Sequence, residues 1–167
     1  TAARRIPTGG EFVLSYVHSS SFGDLNDFTI MTSDFPDPII RPNRRAQRRF
    51  DAPHRIVAWG TFELPSEIRI APAVEWRSGF PYSVFAEDQS YFGDPNSERF
   101  PNFFALDLQV TKAFEIKGYR ITGGVKITNL TGHDNPRQVV ANAADPAFGD
   151  LRSSVPFRVR AKFNFSF

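Results

Sequence analysis

Apolar and polar residues alternate along most of this chain with a period of two. The segment FRVRAKFNFSF at the C-terminus is the clearest case. Phe157, Val159, Ala161, Phe163, Phe165 and Phe167 fall on one parity, and Arg158, Arg160, Lys162, Asn164 and Ser166 fall on the other. Successive side chains of a strand point to opposite faces, so this segment predicts a strand with one greasy and one wet face. The same alternation predicts strands over 11–19, 55–64, 68–77, 104–116 and 119–128, with Leu14, Phe62, Trp76, Leu108 and Ile127 among the apolar parities. Residues 1–10 read as the end of a preceding strand followed by a short turn. Connections alternate in length: 20–53, about 79–102 and about 130–153 are long, whereas PTGG (7–10), PSE (65–67) and KG (117–118) are tight. Tight turns join adjacent antiparallel strands. The expected fold is all-β, an antiparallel up-and-down meander of about six strands with the long loops at one end.

Charge placement sharpens the picture. With the apolar parity set outward, Glu11, Arg55, Glu63, Arg69, Glu75, Arg77, Asp107, Glu115, Arg120, Lys126, Arg158, Arg160 and Lys162 all fall inward, and Lys112 alone falls outward. The parity is a free choice for each strand, so part of this agreement costs nothing. Val57 and Trp59 sit on the wet parity of their strand. Pro72 has no N–H for the ladder and predicts a bulge or a local break.

Composition narrows the classes. The chain has 167 residues, enough for one domain. Lys plus Arg is 20 and Asp plus Glu is 18, a net charge of +2, which gives no general case for nucleic acid. The absence of Cys removes disulfides, thiolate metal sites and Cys nucleophiles. No apolar run reaches the 18 residues that would suggest a spanning helix. The chain opens on Thr with no leader pattern and is expected to be a piece of a longer protein.

A meander of this kind suits a soluble lipocalin-like ligand-binding module or a transmembrane β-barrel. Dimensions favour the second: a ten-residue strand of about 33 Å, tilted about 40°, projects to about 25 Å, the height of an outer-membrane apolar band. Reversing the last strand would turn Arg158, Arg160 and Lys162 toward lipid, at about 2–4 kcal/mol each near the midplane. Lys112 lies toward the short-turn end, where its stem can carry the ammonium to the headgroups. Phe62, Phe114, Tyr119 and the phenylalanines of the last strand would form an aromatic girdle there. Six strands leave open edges, so strands outside this sequence are expected to complete the sheet.

Chemistry-bearing candidates are few. RPNRRAQRRF (41–50) holds five arginines. Arg44, Arg45, Arg48 and Arg49 are the candidates for contact with an anion or with lipopolysaccharide phosphates. The plainer expectation is a solvated loop paired with Asp34, Asp37 and Asp51. His133, Asp134 and Asn135 in GHDNP lack the further ligands of a metal site and suit a turn. His54 has no nucleophile motif near it and suits a hydrogen-bonding role at the start of a strand. Gly123 and Gly124, within a strand, predict close packing or a bend. No catalytic, cofactor-binding or metal-ligating residue is assigned, and no enzyme activity is expected.

Several phrases occur in an order that resembles one family. FNFSF resembles the C-terminal signal of bacterial outer-membrane barrels, with Phe163, Phe165 and Phe167 as its residues. RRIPTGGEFVLSYVHSSSFGD, FDAPHRIVAWGTFELP, EWRSGFPYSV, FFALDLQVTKAFEI and GVKITNLTGHDNPRQV resemble successive strands and strand exits of TonB-dependent receptor barrels. The likeness is greatest to Oar-like receptors carrying a carboxypeptidase-regulatory-like domain. It implies that residues 1–167 are the C-terminal section of a transmembrane barrel of about 22 strands in the bacterial outer membrane, with the plug domain and earlier strands lying outside this sequence. The implied function is energised uptake of a scarce ligand of the siderophore, vitamin B12 or glycan class. Implied partners are outer-membrane lipid, the remaining strands and plug, the barrel assembly machinery, and a TonB complex reached through the N-terminal part. No cofactor and no nucleic-acid partner is implied.

Overall fold

The computed structural model describes residues 1–6, 9–25, 44–116 and 118–166. Its elements are strands: β1 (Ala2–Ile6), β2 (Gly10–His18), β3 (Phe22–Asp24), β4 (Arg45–Gln47), β5 (His54–Leu64), β6 (Ile68–Arg77), β7 (Pro81–Tyr82), β8 (Glu98–Arg99), β9 (Phe103–Ile116), β10 (Tyr119–Thr128), β11 (Gln138–Val139), β12 (Leu151–Arg152) and β13 (Arg158–Ser166). Seven of them form one sheet in the order β1-β2-β5-β6-β9-β10-β13. Every neighbouring pair is antiparallel. The meander expected from the periodicity is present, and residues 2–6 form the preceding strand. Each long connection also carries a two-stranded ribbon of its own, β3-β4, β7-β8 and β11-β12, which the periodicity did not indicate. Among the described residues β1 and β13 have no pairing on their outer edges, and the sheet is open.

The register removes the freedom left in the sequence. Directly opposed residues of an antiparallel pair share a face. Leu14 opposes Ala58, Ala58 opposes Val74, Val74 opposes Leu106, Leu108 opposes Ile127, and Ile127 opposes Val159. The apolar parities of six strands are therefore one continuous face. The thirteen charges named above share the other face, linked through pairs such as Glu63 with Arg69, Glu115 with Arg120, and Lys126 with Arg160. Lys112 stands on the apolar face between Ile68 and Gly123. Its Nζ lies 5.1 Å from the centre of the Phe114 ring, displaced toward the short-turn end of β9.

Nothing covers the apolar face among the described residues. Every substantial strand contact is with a ladder neighbour. Among the described residues the buried hydrophobic side chains are Ala46 and Val84, both in the long-loop region, whereas Phe12, Leu14, Tyr16, Phe114, Val125, Val159 and Phe163 are exposed. A two-layer soluble domain would enclose such residues, because each large apolar side chain returned to water costs about 1.5–3 kcal/mol. No described helix is long and apolar enough to cross a membrane, a test that does not address crossing by strands.

Local chemistry explains the interruptions and turns. Opposite Pro72 the β5–β6 ladder skips Gly60 and Thr61, yet the pairing resumes in the same register at Phe62 with Ile70. The missing N–H gives a local break and no bulge. The β9–β10 hairpin turns through Gly118 at φ 83°, a left-handed conformation in which a side chain is strained. Gly123 and Gly124 mark close packing: the Phe163 ring lies over the first, and Thr111 with the Val110 carbonyl crowds the second.

Candidate functional site

Among the described residues the fully buried side chains gather at the long-loop end, where polar side chains tie the three ribbons to the strand exits. Asp51, 2% exposed, is the centre of one cluster. Its Oδ1 accepts from the Ser21 backbone N–H at 2.6 Å, and its Oδ2 takes Nη2 of Arg99 at 2.7 Å. Arg99 also donates to Gln47 Oε1 at 2.6 Å, the Asp51 carbonyl at 3.0 Å and the Gly79 carbonyl at 2.8 Å. One guanidinium thus clasps β4, the approach to β5 and the exit of β6. Gly79 is required there, since a Cβ would collide with the Phe100 carbonyl oxygen. Asn96 completes the cluster by donating to the Gln47 carbonyl at 2.6 Å and accepting from Ser83 Oγ at 2.9 Å.

A second cluster holds the loop after β10. Asn135, 1% exposed, accepts from the Phe104 N–H at 2.9 Å and donates to the Phe104 carbonyl at 2.8 Å, so its amide acts as one rung of a strand beside β9. Asn129, equally buried, turns the chain at φ 51° and donates to the carbonyls of His133 and Val155. Asp107 accepts from its backbone N–H at 2.9 Å. The residues of GHDNP serve this turn, and among the described residues no group of three or more potential metal ligands forms. No buried side-chain polar atom among them lacks a partner. At the rim of β2 and β5, His54 Nδ1 hydrogen-bonds with Tyr16 Oη at 2.8 Å and its ring stacks on His18, a bonding role as the sequence suggests. Nearby loop groups titrate off their ordinary values: burial, then the Glu98 carboxylate, pushes the Tyr82 phenol up, and the Ser90 hydroxyl and N–H hold the Asp88 carboxyl down.

Between these ribbons lies a surface groove of about 750 Å³, lined by Phe22, Arg44, Arg45, Ala46, Gln47, Asp94, Pro95, Asn96 and Ser97. Arg44 and Arg45 both line it; Arg44 donates to the Gly93 carbonyl at 3.2 Å, and Arg45 lies over the Phe22 ring at 5.5 Å. Arg48 packs against Gly23, and Arg49 is exposed without lining the groove. The four arginines are thus split, two in the groove and two beside it. Asp51 is not their counter-ion, because it is buried and bound to Arg99. Asp34, Asp37 and Arg41 lie outside the described residues. Among the described residues none of the four arginines is in an ion pair, so Arg44 and Arg45 present charge to the groove.

Phe163 and Phe165 stand toward the short-turn end of the β10–β13 ladder, away from these loops. Phe163 opposes Gly123 and is exposed on the apolar face; Phe165 opposes Ile121 in the register; Phe167 lies outside the described residues. On the wet face Arg55 pairs with Glu75 at 2.9 Å, Arg69 with Glu63 at 2.7 Å and Arg120 with Glu67 at 3.2 Å. Arg120 thus reaches a turn residue rather than Glu115 opposite it.

Comparison with protein-family profiles, curated proteins and solved structures finds no match to this chain. Of the residues that organise the loop end, the sequence marks Asp51 only as a counter-ion of the arginine run and Asn135 only as a turn residue, and it does not mark Arg99, Asn96 or Asn129. Asp51, Arg99, Asn96, Asn129 and Asn135 are ordinary turn letters in a polar stretch.

Proposed function

We propose that this chain is the C-terminal section of a TonB-dependent outer-membrane receptor barrel, serving energised uptake of a scarce ligand of the siderophore, vitamin B12 or glycan class. The observation that carries this is the single, continuous apolar face, uncovered among the described residues and interrupted by Lys112 and Arg4, opposite a face bearing thirteen strand charges. In hydrocarbon the first face is solvated by lipid and the second lines an aqueous interior. The short turns at one end and ribbon-bearing loops at the other suit the periplasmic and outer sides of such a barrel. Lys112 leaning along Phe114 toward the short turns is the posture of a cation reaching for headgroups. The groove holding Arg44 and Arg45 is the place at the outer side where phosphate or carboxylate groups of a ligand or of lipopolysaccharide would dock. A lipocalin-like module would enclose the apolar face within its lumen, and the open sheet weighs against that.

Fractionation of cells expressing the chain within its native protein tests the proposal. The expected result is recovery in the outer-membrane fraction, released by detergent and not by salt or alkaline wash. Recovery in the aqueous phase without detergent would overturn it.

A further inference from the structure

We infer that the free edge of β13 is a template for one further strand, which carries acidic residues at alternate positions on its wet side and apolar residues on its other side.

The edge itself is open: β13 pairs with β10 on one side and with no described strand on the other. Unpaired ladder groups favour addition of a strand over any other occupant. The chemistry of that strand follows from the two faces of β13. Arg158, Arg160 and Lys162 occupy successive wet positions, about 7 Å apart along the strand. Lys126 stands directly opposite Arg160, a like-charge pair across the ladder, an arrangement that destabilises a sheet unless acids lie nearby.

Among the described residues no acid stands directly opposite any of these four cations in the register, and none of the four is in an ion pair. Glu63, Glu67 and Glu75 are held by Arg69, Arg120 and Arg55. Asp107 faces the Asn129 N–H. The β9 neighbour of Lys126 is Gln109. The chain carries a net charge of only +2, yet three cations stand on this one strand with a fourth, Lys126, beside them. On the other face Val159, Ala161 and Phe163 call for apolar partners.

The obvious alternative occupant fits badly. Closure by β1, from the same chain or a second copy, would bring AARRI to this edge. That segment offers Arg4 and Arg5 and no acid. Arg4 opposes Phe12 and so shares the apolar face, and Arg5 opposes Glu11 in the register. Pairing it with β13 would add cations to a ladder that lacks anions. The partner is therefore a strand from outside this sequence with the pattern acid–apolar–acid–apolar–acid.

The inference rests on the proposed barrel section only in needing the sheet to continue past β13. Its test uses the whole chain in detergent micelles and two fluorescent nine-residue peptides, one alternating Glu with Val and Phe, the other with Lys in place of Glu. Opposite charges in three successive cross-strand positions favour the Glu peptide by about tenfold. The combined variant Arg158→Glu, Arg160→Glu, Lys162→Glu is expected to invert that preference. Carbodiimide coupling of carboxylates to amines is expected to join the Glu peptide to Lys162, the one lysine of β13, on the natural chain. Equal affinity for the two peptides, a preference unchanged by the reversal, or coupling confined to Lys112 would overturn the inference. So would self-association through β1. Should the reversed variant bind neither peptide, the coupling map on the natural chain decides. Partition of the native protein into the aqueous phase would sink the membrane proposal and leave this result standing, since the peptide assay reads only the edge.

Discussion

Arg99 shows how much of the loop end depends on single residues. Its guanidinium neutralises an Asp51 side chain that is 1% exposed and at the same time satisfies two carbonyls. Removing one partner of a buried pair leaves an uncompensated charge, at about 3–5 kcal/mol. Arg99→Ala is therefore expected to lower the stability of the loop end by that amount and to open residues 44–53 to protease, read by limited proteolysis at increasing urea. Asp51→Asn keeps a hydrogen-bonding partner for Ser21 and should be milder. Asn135 offers an independent test, because its amide is the partner of both backbone groups of Phe104. Asn135→Ala strands an N–H and a carbonyl, at about 1–3 kcal/mol each when buried. The expected sign is faster amide exchange at Phe104 with little change at Leu108.

At the level of elements, the two faces of β13 and its neighbour give opposite expectations for one substitution. Ala161→Arg places a guanidinium on the apolar face and should cost about 2–4 kcal/mol of insertion free energy near the bilayer midplane. Thr122→Arg, on the wet face opposite Asn164, should be nearly neutral. Folding yield into lipid vesicles, measured side by side, checks both; equal effects would contradict a lipid-facing apolar side. The main strands were legible because a period of two persists through nine to fourteen residues in β2, β5, β6, β9, β10 and β13. The ribbons were not, since two or three residues are too short to display a period. The polar clusters were hidden for another reason. Asp51 and Arg99 are 48 positions apart, and nothing in either local sequence marks it for burial. The split of the arginine run is a related case: a count of charges along the chain does not tell which of them a turn carries into the groove.

Across the whole molecule, the aromatic end of β13 and the seven-strand order lead to an expectation about assembly. Deleting Phe167 from the native protein is expected to reduce its yield in the outer membrane, with precursor accumulating, as measured by heat-modifiable mobility on gels. Normal yield would remove the reason for treating Phe163, Phe165 and Phe167 as a signal. The register carries the last consequence. All six ladders keep a constant offset from end to end, without a bulge. Because side chains alternate strictly, adding or losing a single residue in the middle of β9 would swap inside for outside over the remainder of that strand. Arginine-to-lysine exchanges and changes of loop length leave that bookkeeping untouched. Single-codon insertions within the strands should therefore be far scarcer among natural variants than insertions of any size in the connections above them.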